Sequence, residues 1–232
     1  SNAFTNVHGL CMVGDNLWVG TFSKGVKVVD TRTGAIVKTY LKTESPHSLV
    51  DNSVFSICRT TTGDIYLGTL FGLLRYNKQL DGFDRIPELN GKFVYDIKED
   101  SGGNLWLATY ANGAYCYNVN EKRWKNYLHD ENNPKSLPYD KVVSIFEDSH
   151  RQVWLTTQGG GFCCFHSDTE TFTNYSLADG LPNDVVYQIV EDKEGFFWLT
   201  TNNGLVCFQP ATGGMKVYTT SNGLLGDQFN YR

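Results

Sequence analysis

Five short segments of the chain share one pattern, in which an aromatic residue lies between two apolar residues and the segment ends in threonine. The aromatic residues are at positions 18, 66, 106, 154 and 198, so the segments recur every 40–48 residues. Four of the five tryptophans occupy this position, and Tyr66 occupies the remaining one. A repeat of this length indicates a fold built from stacked copies of one unit. The segments are Leu17–Thr21, Ile65–Thr69, Leu105–Thr109, Val153–Thr157 and Phe197–Thr201.

Each aromatic segment belongs to a unit of four predicted strands. A stretch of alternating character, such as Val142–Phe146, precedes it and predicts the first strand. A glycine such as Gly113 opens a third strand, and a more polar stretch such as Trp124–Tyr127 closes the unit. Four antiparallel strands in tandem repeats of about 40–50 residues are typical of propeller blades. The recurring tryptophan would fill the space between neighbouring blades.

The repeats therefore predict an all-β chain, a β-propeller with five complete four-stranded blades and the start of a sixth. Because a propeller protects its strand edges by closing the ring, we expect this array to be part of a larger one. We interpret Ser1–Ala3 as the remnant of a cleaved tag. The predicted blades span residues 4–44, 45–90, 91–132, 133–179 and 180–220, and residues 221–232 are the linker and first strand of the sixth blade.

Charge and hydropathy argue against two kinds of partner for this segment. The net charge is −5 and no run of Lys and Arg stands out. Nucleic-acid binding is therefore disfavoured, because it needs a dense basic face. No apolar stretch approaches the roughly 20 residues that would span a bilayer, so we expect no membrane contact by this segment.

The residues with catalytic or metal-binding potential fit the repeat better than a reactive centre. Glu-Asp pairs recur at one turn position, at 99–100, 147–148 and 191–192, whereas acid-base catalysis needs a unique pair. An aspartate at the start of a tight turn binds the backbone that follows it, so these pairs are predicted to be structural. The five histidines lack metal-ligand spacing, and the glycine-rich turns lack the context of a nucleotide site. We predict no catalytic residue, no metal and no cofactor.

Six cysteines are present, and three of them occupy one position of the repeat. Cys116, Cys164 and Cys207 lie three residues after the glycine that opens the third strand. Equivalent positions on neighbouring blades are expected to lie farther apart than the roughly 7 Å limit between the Cα atoms of a disulfide. The sequence therefore favours free thiols that pack as small apolar side chains.

The loops that follow the aromatic strands are the best candidates for a ligand site. In a propeller these loops share one rim with the linkers between blades, around the mouth of the channel. Aromatic faces beside amide side chains suit sugar rings, which present apolar C–H faces and hydroxyls. The alternative is that they are ordinary exposed loop residues. The candidate residues are Phe22, Lys24, Phe71, Tyr110, Asn112, Gln158 and Asn202.

The stretch from Gly180 to Phe208 resembles the two-component regulator propeller repeat. It combines the linker, the Glu-Asp turn and two strands of that family's pattern, and the resemblance extends over the chain after Ala3. Blade one departs most, because Gly14-Asp15-Asn16 replaces the Glu-Asp turn. The matching residues are Gly180–Asn183, Val186, Ile189, Glu191–Asp192, Gly195, Trp198–Leu199, Thr201, Gly204–Leu205 and Phe208.

This resemblance implies the extracytoplasmic sensor of a Bacteroides-type hybrid histidine kinase. In that family many blades form two propellers ahead of a small β-sandwich, a membrane helix and the kinase. The chain would then be a noncatalytic, periplasmic segment of an inner-membrane protein. It would sense an oligosaccharide and control polysaccharide-utilisation genes through the kinase, with the other blades and the kinase of the full-length protein as its partners.

Two other functions remain open. The first is a propeller enzyme that acts on carbohydrate, a lyase or a glycosidase, because the fold alone does not separate binding from catalysis. The second is a protein-docking scaffold similar to WD repeats, although the recurring tryptophan is followed by Leu or Val and never by Asp.

Two arrangements could cover the blade faces at the two ends of the array. The five blades could close on themselves, or two chains could associate through blades one and five. Since uncovered apolar faces drive association, we expect self-association.

Overall fold

Five antiparallel sheets of four strands each make up the fold, which confirms the predicted all-β propeller architecture. The computed structural model describes residues 7–223. The strands of each sheet lie side by side in chain order, so each sheet is one blade.

Blade one contains β1 (Val7–Val13), β2 (Asn16–Thr21), β3 (Val26–Asp30) and β4 (Ile36–Tyr40); blade two contains β5 (Val54–Arg59), β6 (Ile65–Thr69), β7 (Gly72–Asn77) and β8 (Gly82–Arg85). Blade three contains β9 (Val94–Glu99), β10 (Leu105–Thr109), β11 (Ala114–Asn118) and β12 (Arg123–Tyr127); blade four contains β13 (Val142–Glu147), β14 (Val153–Thr157), β15 (Phe162–His166) and β16 (Thr171–Tyr175); blade five contains β17 (Val186–Glu191), β18 (Phe197–Thr201), β19 (Gly204–Gln209) and β20 (Gly214–Tyr218).

Between Val7 and Gly223, helical structure is limited to three single turns. The 3₁₀ helices Pro87–Leu89, Leu177–Asp179 and Thr220–Asn222 follow blades two, four and five. Within residues 7–223, no helix has the length and apolar character needed to cross a membrane. The predicted linker and first strand of a sixth blade, at 221–232, lie outside the described residues except for 221–223, and so does the predicted tag remnant.

Clusters of buried apolar side chains lie between successive blades and join them. In one cluster, Trp106 of blade three packs with Val142 and Ile145 of blade four. Trp18, Trp106 and Trp154 are only 4%, 2% and 2% exposed, which confirms the predicted position of the recurring tryptophan between blades. Truncating a buried Trp to Ala typically costs about 3–5 kcal/mol, so these contacts are a main source of stability.

The aspartate of each Glu-Asp pair organises the turn between the first and second strands. Asp148 Oδ1 accepts hydrogen bonds from the backbone amides of His150 and Gln152, each at 2.9 Å. Its Oδ2 accepts the indole N–H of Trp154 at 2.9 Å, which fixes the ring between the blades. The predicted structural role of this aspartate is thus confirmed. Asp100 with Trp106 and Asp192 with Trp198 form the equivalent indole bonds, at 3.0 and 2.9 Å.

The glutamate of each pair links its own blade to the preceding one. Glu147 Oε2 accepts hydrogen bonds from the backbone amide and the hydroxyl of Ser101, at 2.8 and 2.9 Å. Ser101 belongs to the turn of blade three, so the carboxylate fastens one turn to the next. A catalytic dyad is not needed to explain the recurrence of Glu-Asp. The equivalent contacts are Glu99 with Thr61 and Glu191 with Ser149.

A buried threonine ends the second strand of every blade. The Thr109 hydroxyl donates to the Gly113 carbonyl at 2.7 Å and accepts the Asn112 amide at 2.9 Å. It therefore closes the loop between the second and third strands. Thr21, Thr69, Thr157 and Thr201 make the equivalent donation to a glycine carbonyl four or three residues later, at 2.6–2.8 Å.

All six cysteines lie among the described residues and have free thiols. Cys116, Cys164 and Cys207 each pair across the strands with the recurring tryptophan of their own blade. Burial raises the pKa of both Cys116 and Cys164 to about 12, so these thiols stay protonated and unreactive at neutral pH.

Candidate functional site

The first strands of all five blades line one cavity of about 330 Å³. This volume lies at the small end of the roughly 300–1,000 Å³ range of small-molecule sites. Since every blade contributes its first strand, the cavity marks the central channel of the array. We call it the channel cavity. Its walls come from β1, β5, β9, β13 and β17, together with Thr200 of β18.

A β-bulge at the same position of each first strand determines which side chains face the channel cavity. In β13 the pairing with β14 shifts between Val142 and Ser144, so Val143 is the bulged residue. Bulges re-aim side chains and are common beside functional sites. The bulged residues of the five blades are His8, Phe55, Tyr95, Val143 and Tyr187, and all five line the channel cavity.

Because of this bulge, the predicted simple alternation of the first strands is wrong at this position. In a regular strand, residues three apart point to opposite faces. Val142 and Ile145 are three apart, yet both are buried in the same cluster between blades three and four. The two residues between them are therefore the ones that reach the channel cavity.

In blades two to five the residue that follows the bulge is polar and contributes to one wall of the channel cavity: Ser56, Asp96, Ser144 and Gln188. Asp96 is central in this wall, because its Oδ2 accepts the backbone amide of Ile145 at 3.0 Å and its Oδ1 lies 3.5 Å from the Ser56 hydroxyl. One carboxylate thus connects blades two, three and four. Ser144 bonds the hydroxyl of Thr156, which donates to the Tyr187 carbonyl at 3.2 Å and extends the network to blade five.

Aromatic rings continue from the channel cavity onto the rim above blade three. The rings of Phe55 and Phe93 have centroids 4.6 Å apart, and those of Phe93 and Tyr110 are 5.1 Å apart. The Lys141 ammonium lies 5.3 Å from the centroid of Tyr110. The same surface continues over blade one, where Phe22 and His8 have centroids 6.4 Å apart. We call Phe22, Phe55, Phe93, Tyr95 and Tyr110, with His8, the aromatic rim.

Three of the seven residues predicted from the loops contact this surface. Phe22 and Tyr110 belong to the aromatic rim itself. Asn202 Oδ1 accepts the Tyr187 hydroxyl at 3.0 Å. Burial raises the pKa of Tyr187, so this hydroxyl remains a donor at neutral pH.

The other four predicted residues lie on the same rim but make local contacts. The backbone amides of Lys24, Phe71 and Asn112 each bond the threonine that ends the second strand. Phe71 is 52% exposed. Gln158 pairs with Val185 of the next linker, and its Oε1 is buried without a hydrogen-bond partner among the described residues. None of the seven residues lines the channel cavity as the described residues form it.

The sequence prediction missed the residues that face the channel cavity. A signal for them exists, because each first strand has a valine followed three residues later by Ile or Leu, and the bulged residue lies directly after the valine. Simple alternation instead assigns the intervening residues to the two faces of a regular strand. Among residues 7–223, no group of three or more His, Cys, Asp or Glu side chains is arranged to hold a metal.

Comparisons with known proteins agree with this architecture. The model of the two-component regulator propeller family matches residues 88–111 and 180–203. The solved extracellular domain of a protein assigned as a hybrid two-component system of B. thetaiotaomicron is 27% identical, with a TM-score of 0.79. The match covers 97% of this chain and 30% of that chain, so this chain spans less than a third of that relative. A search of curated proteins gave no match.

Two further solved structures share the fold at lower identity. PorZ, a surface component of the type-IX secretion system of Porphyromonas gingivalis, is 15% identical with a TM-score of 0.73, over 96% of this chain and 35% of its own. Virginiamycin B lyase of Staphylococcus aureus is 14% identical with a TM-score of 0.68, over 94% of this chain and 71% of its own. These two similarities concern the fold alone. The two matches to the two-component regulator propeller model fall on the linkers and first two strands of blades three and five, so these two repeats are similar to that family.

Proposed function

We propose that this chain is a ligand-sensing segment of the extracellular, periplasmic part of a hybrid two-component sensor kinase. The similarity to the extracellular domain of a hybrid two-component system supports the sensing role. The matches to the two-component regulator propeller model support it as well. In this proposal the chain itself is noncatalytic, and the kinase and further blades of the full-length protein receive and transmit its signal.

The observation that carries the proposal is the set of five bulges, each of which places the bulged residue of its blade in the lining of the channel cavity. Three of these residues are aromatic, Phe55, Tyr95 and Tyr187, and the aromatic rim extends the same surface outward. Bulges cost ladder hydrogen bonds and are retained as designed features of a strand. Their repetition at one position is therefore best explained by a surface built for binding.

We further propose that the ligand is an oligosaccharide. Ring faces such as those of Phe55 and Tyr110 can stack on the C–H faces of sugars. Asp96, Ser144 and Gln188 offer acceptors and donors for hydroxyls on the wall beside them. Apolar faces combined with a few oriented polar groups are the usual composition of a small-molecule site.

Binding to a panel of neutral and uronate-containing oligosaccharides, measured by calorimetry, tests this function. For any binder, Phe55→Ala and Tyr110→Ala should weaken the affinity about fivefold or more, as expected for the loss of about 1 kcal/mol or more of aromatic contact. Leu80→Ala is the control, because Leu80 is 55% exposed on a hairpin of blade two and does not line the channel cavity.

The same experiment separates binding from catalysis. A noncatalytic sensor returns the oligosaccharide chemically unchanged after long incubation, as mass spectrometry can show. Cleavage of the bound sugar would instead support the alternative function, that of a lyase or a glycosidase. The oligosaccharide proposal would be contradicted if no oligosaccharide of the panel binds, or if neither substitution changes the affinity of one that does.

A further inference from the structure

A Lys-x-Tyr motif occurs in the fourth strand of blades one, three and five. The pairs are Lys38 with Tyr40 in β4, Lys125 with Tyr127 in β12, and Lys216 with Tyr218 in β20. Within each blade the lysine pairs with the third-strand residue that lies opposite the recurring aromatic position. The motif therefore stands on the face of the blade that carries the tryptophan.

In blades one and three, both motif side chains bind one carboxylate of the next blade. Lys38 and the Tyr40 hydroxyl bind Asp81 of blade two, with the hydroxyl at 2.6 Å. Lys125 and the Tyr127 hydroxyl bind Glu170 of blade four, at 2.6 and 2.8 Å.

Both carboxylates occupy the same backbone position. Asp81 and Glu170 lie in the turn between the third and fourth strands, with φ of 47° and 55°. We call this left-handed residue the turn position. The motif and an acidic residue at the turn position therefore form a two-part contact between neighbouring blades.

Blades that lack the motif are followed by blades that lack the acid. Blade two has Asp84 where the lysine would be, and the turn position of blade three is Lys122. Blade four has Thr173 there, and the turn position of blade five is Gly213. The acid thus accompanies the motif and is not a general requirement of the propeller fold.

Blade five presents the motif on a face that lacks such a partner among the described residues. A row of paired residues crosses this face from β17 to β20: Val190, Trp198, Cys207 and Lys216. Val190 is 60% exposed, and Trp198 remains partly exposed although the tryptophans of blades one, three and four are buried. Within residues 7–223, no carboxylate lies within ion-pair distance of Lys216, whose ammonium lies 5.1 Å from the centroid of Tyr218.

We propose that this face of blade five binds a further propeller blade that has Asp or Glu at its turn position. Trp198 and Val190 would pack on that blade as Trp106 packs on blade four, and Lys216 with Tyr218 would hold its carboxylate. Blade one does not match, in the same chain or in a second copy, because its turn position is Gly34. The charge pattern therefore disfavours both self-closure and pairing of two copies through blades one and five.

Insertion of a blade into the full chain tests this proposal. A second copy of residues 128–175 placed between Tyr218 and Thr219 keeps the register, because Tyr218 and Tyr127 occupy equivalent positions. It brings its own Glu170 to the turn position, and a matched insert carries Glu170→Gln in the copy. Hydrogen exchange of the peptide that contains β20 and the unfolding equilibrium of both proteins are then compared.

The acidic insert should protect β20 from exchange and stabilise the protein more than the neutral insert. The difference should be about twofold or more in the unfolding equilibrium constant, the lower range for coupled neighbours in one network. Lys216→Met should abolish the difference between the two inserts. Equal behaviour of both inserts, or a folded insert that leaves β20 unprotected, overturns the proposal.

Gly34→Asp in the unextended chain provides a second test that does not depend on the insert folding. A side chain at Gly34 meets no atom within 4 Å, and although its φ of 74° strains any side chain, Asp and Asn adopt such values more readily than most residues and to a similar extent. Compared with Gly34→Asn, Gly34→Asp should increase either the association of two chains, measured by sedimentation, or the melting temperature of a closed ring, measured by thermal unfolding. Adding Lys216→Met should remove this increase. Strong association of the unmodified chain through blade one, or no difference between the Asp and Asn variants, counts against the proposal.

Discussion

Thr109 illustrates how a single hydroxyl organises each blade at the scale of one residue. It is fully buried at the end of β10, donates to the Gly113 carbonyl and accepts the Asn112 amide. These bonds shape the loop that carries Tyr110 to the aromatic rim. Since the equivalent threonine occurs in all five blades, the loops of the rim all start from the same turn geometry.

Thr109→Val should therefore lower the free energy of unfolding by about 1–3 kcal/mol, because it leaves the Asn112 amide without its acceptor while it preserves the side-chain shape. Thr109→Ser retains the hydroxyl and is the matched control. Urea titration of both variants measures the effect. A valine variant as stable as the serine variant would show that shape and not hydrogen bonding matters at this position.

At the scale of the element, polar contacts between blades supplement the apolar clusters. Asp81 of blade two receives hydrogen bonds from Lys38 and Tyr40 of blade one and from Tyr76 of its own blade. Burial alone would raise the pKa of Asp81, but these three hydrogen bonds outweigh it and lower the pKa to about 2. The carboxylate is therefore charged in the folded protein at pH values where it is partly protonated in the unfolded chain.

The stabilisation from this charge should be fully present above about pH 4, the pKa of an unfolded aspartate, and should be lost as the pH falls towards 2. Asp81 is 43% exposed, so solvent screening limits the contribution to about 1 kcal/mol. Asp81→Asn should lower the melting temperature at pH 6 and match the unmodified protein near pH 2. A difference that is constant from pH 6 to pH 2 would contradict this role of the charge.

At the scale of the whole molecule, stability should vary along the array. Each interior blade is covered on both faces by apolar clusters, whereas blade one leaves Leu10 and Met12 60% and 49% exposed and blade five leaves Val190 60% exposed. Repeat arrays derive much of their stability from contacts between neighbouring units. The outer blades should therefore open more readily than the interior ones.

Hydrogen exchange should show this order in equivalent strands. We expect the amides of β2 and β18 to exchange at least about tenfold faster than those of β10, because local opening follows the density of buried contacts. Mass spectrometry of exchanged peptides at several protein concentrations measures the rates. Equal protection of all three strands would mean that the outer faces are covered, by closure of the ring or by a second chain.

The fold was predictable because its determinants are local and repeated. The spacing of the tryptophans, the Glu-Asp turns and the glycines before the third strands identify four strands per unit, and the structure confirms the predicted blade architecture. The recurring tryptophan was also predictable as a residue between blades, because a lone four-stranded sheet cannot bury its two faces and needs a neighbouring blade to cover a large ring. The periodicity of the sequence is enough to predict the strands of each blade and the position of the tryptophan, because neither depends on which two blades are neighbours.

The channel cavity was less accessible to sequence reasoning. The loop residues Phe22, Tyr110 and Asn202 were predicted at the rim, and the structure places them beside residues of the channel cavity or the aromatic rim. The bulged residues were missed, because a bulge shifts the side-chain direction by one residue and leaves no change in composition. Whether the seven predicted residues bind a ligand remains a prediction.

The sequence by itself determined the repeat, the strand order within each blade and the structural use of the acidic turns. Those features depend on contacts within a unit or between units of identical pattern. The tertiary structure alone decided which side chains face the channel and which blade partners are charge-matched. His8, Phe55 and Tyr187 are far apart in the chain, and only the radial arrangement of the first strands brings them to one cavity. Likewise, the pairing of Lys38 with Asp81, 43 residues away, exists only because consecutive blades stack face to face.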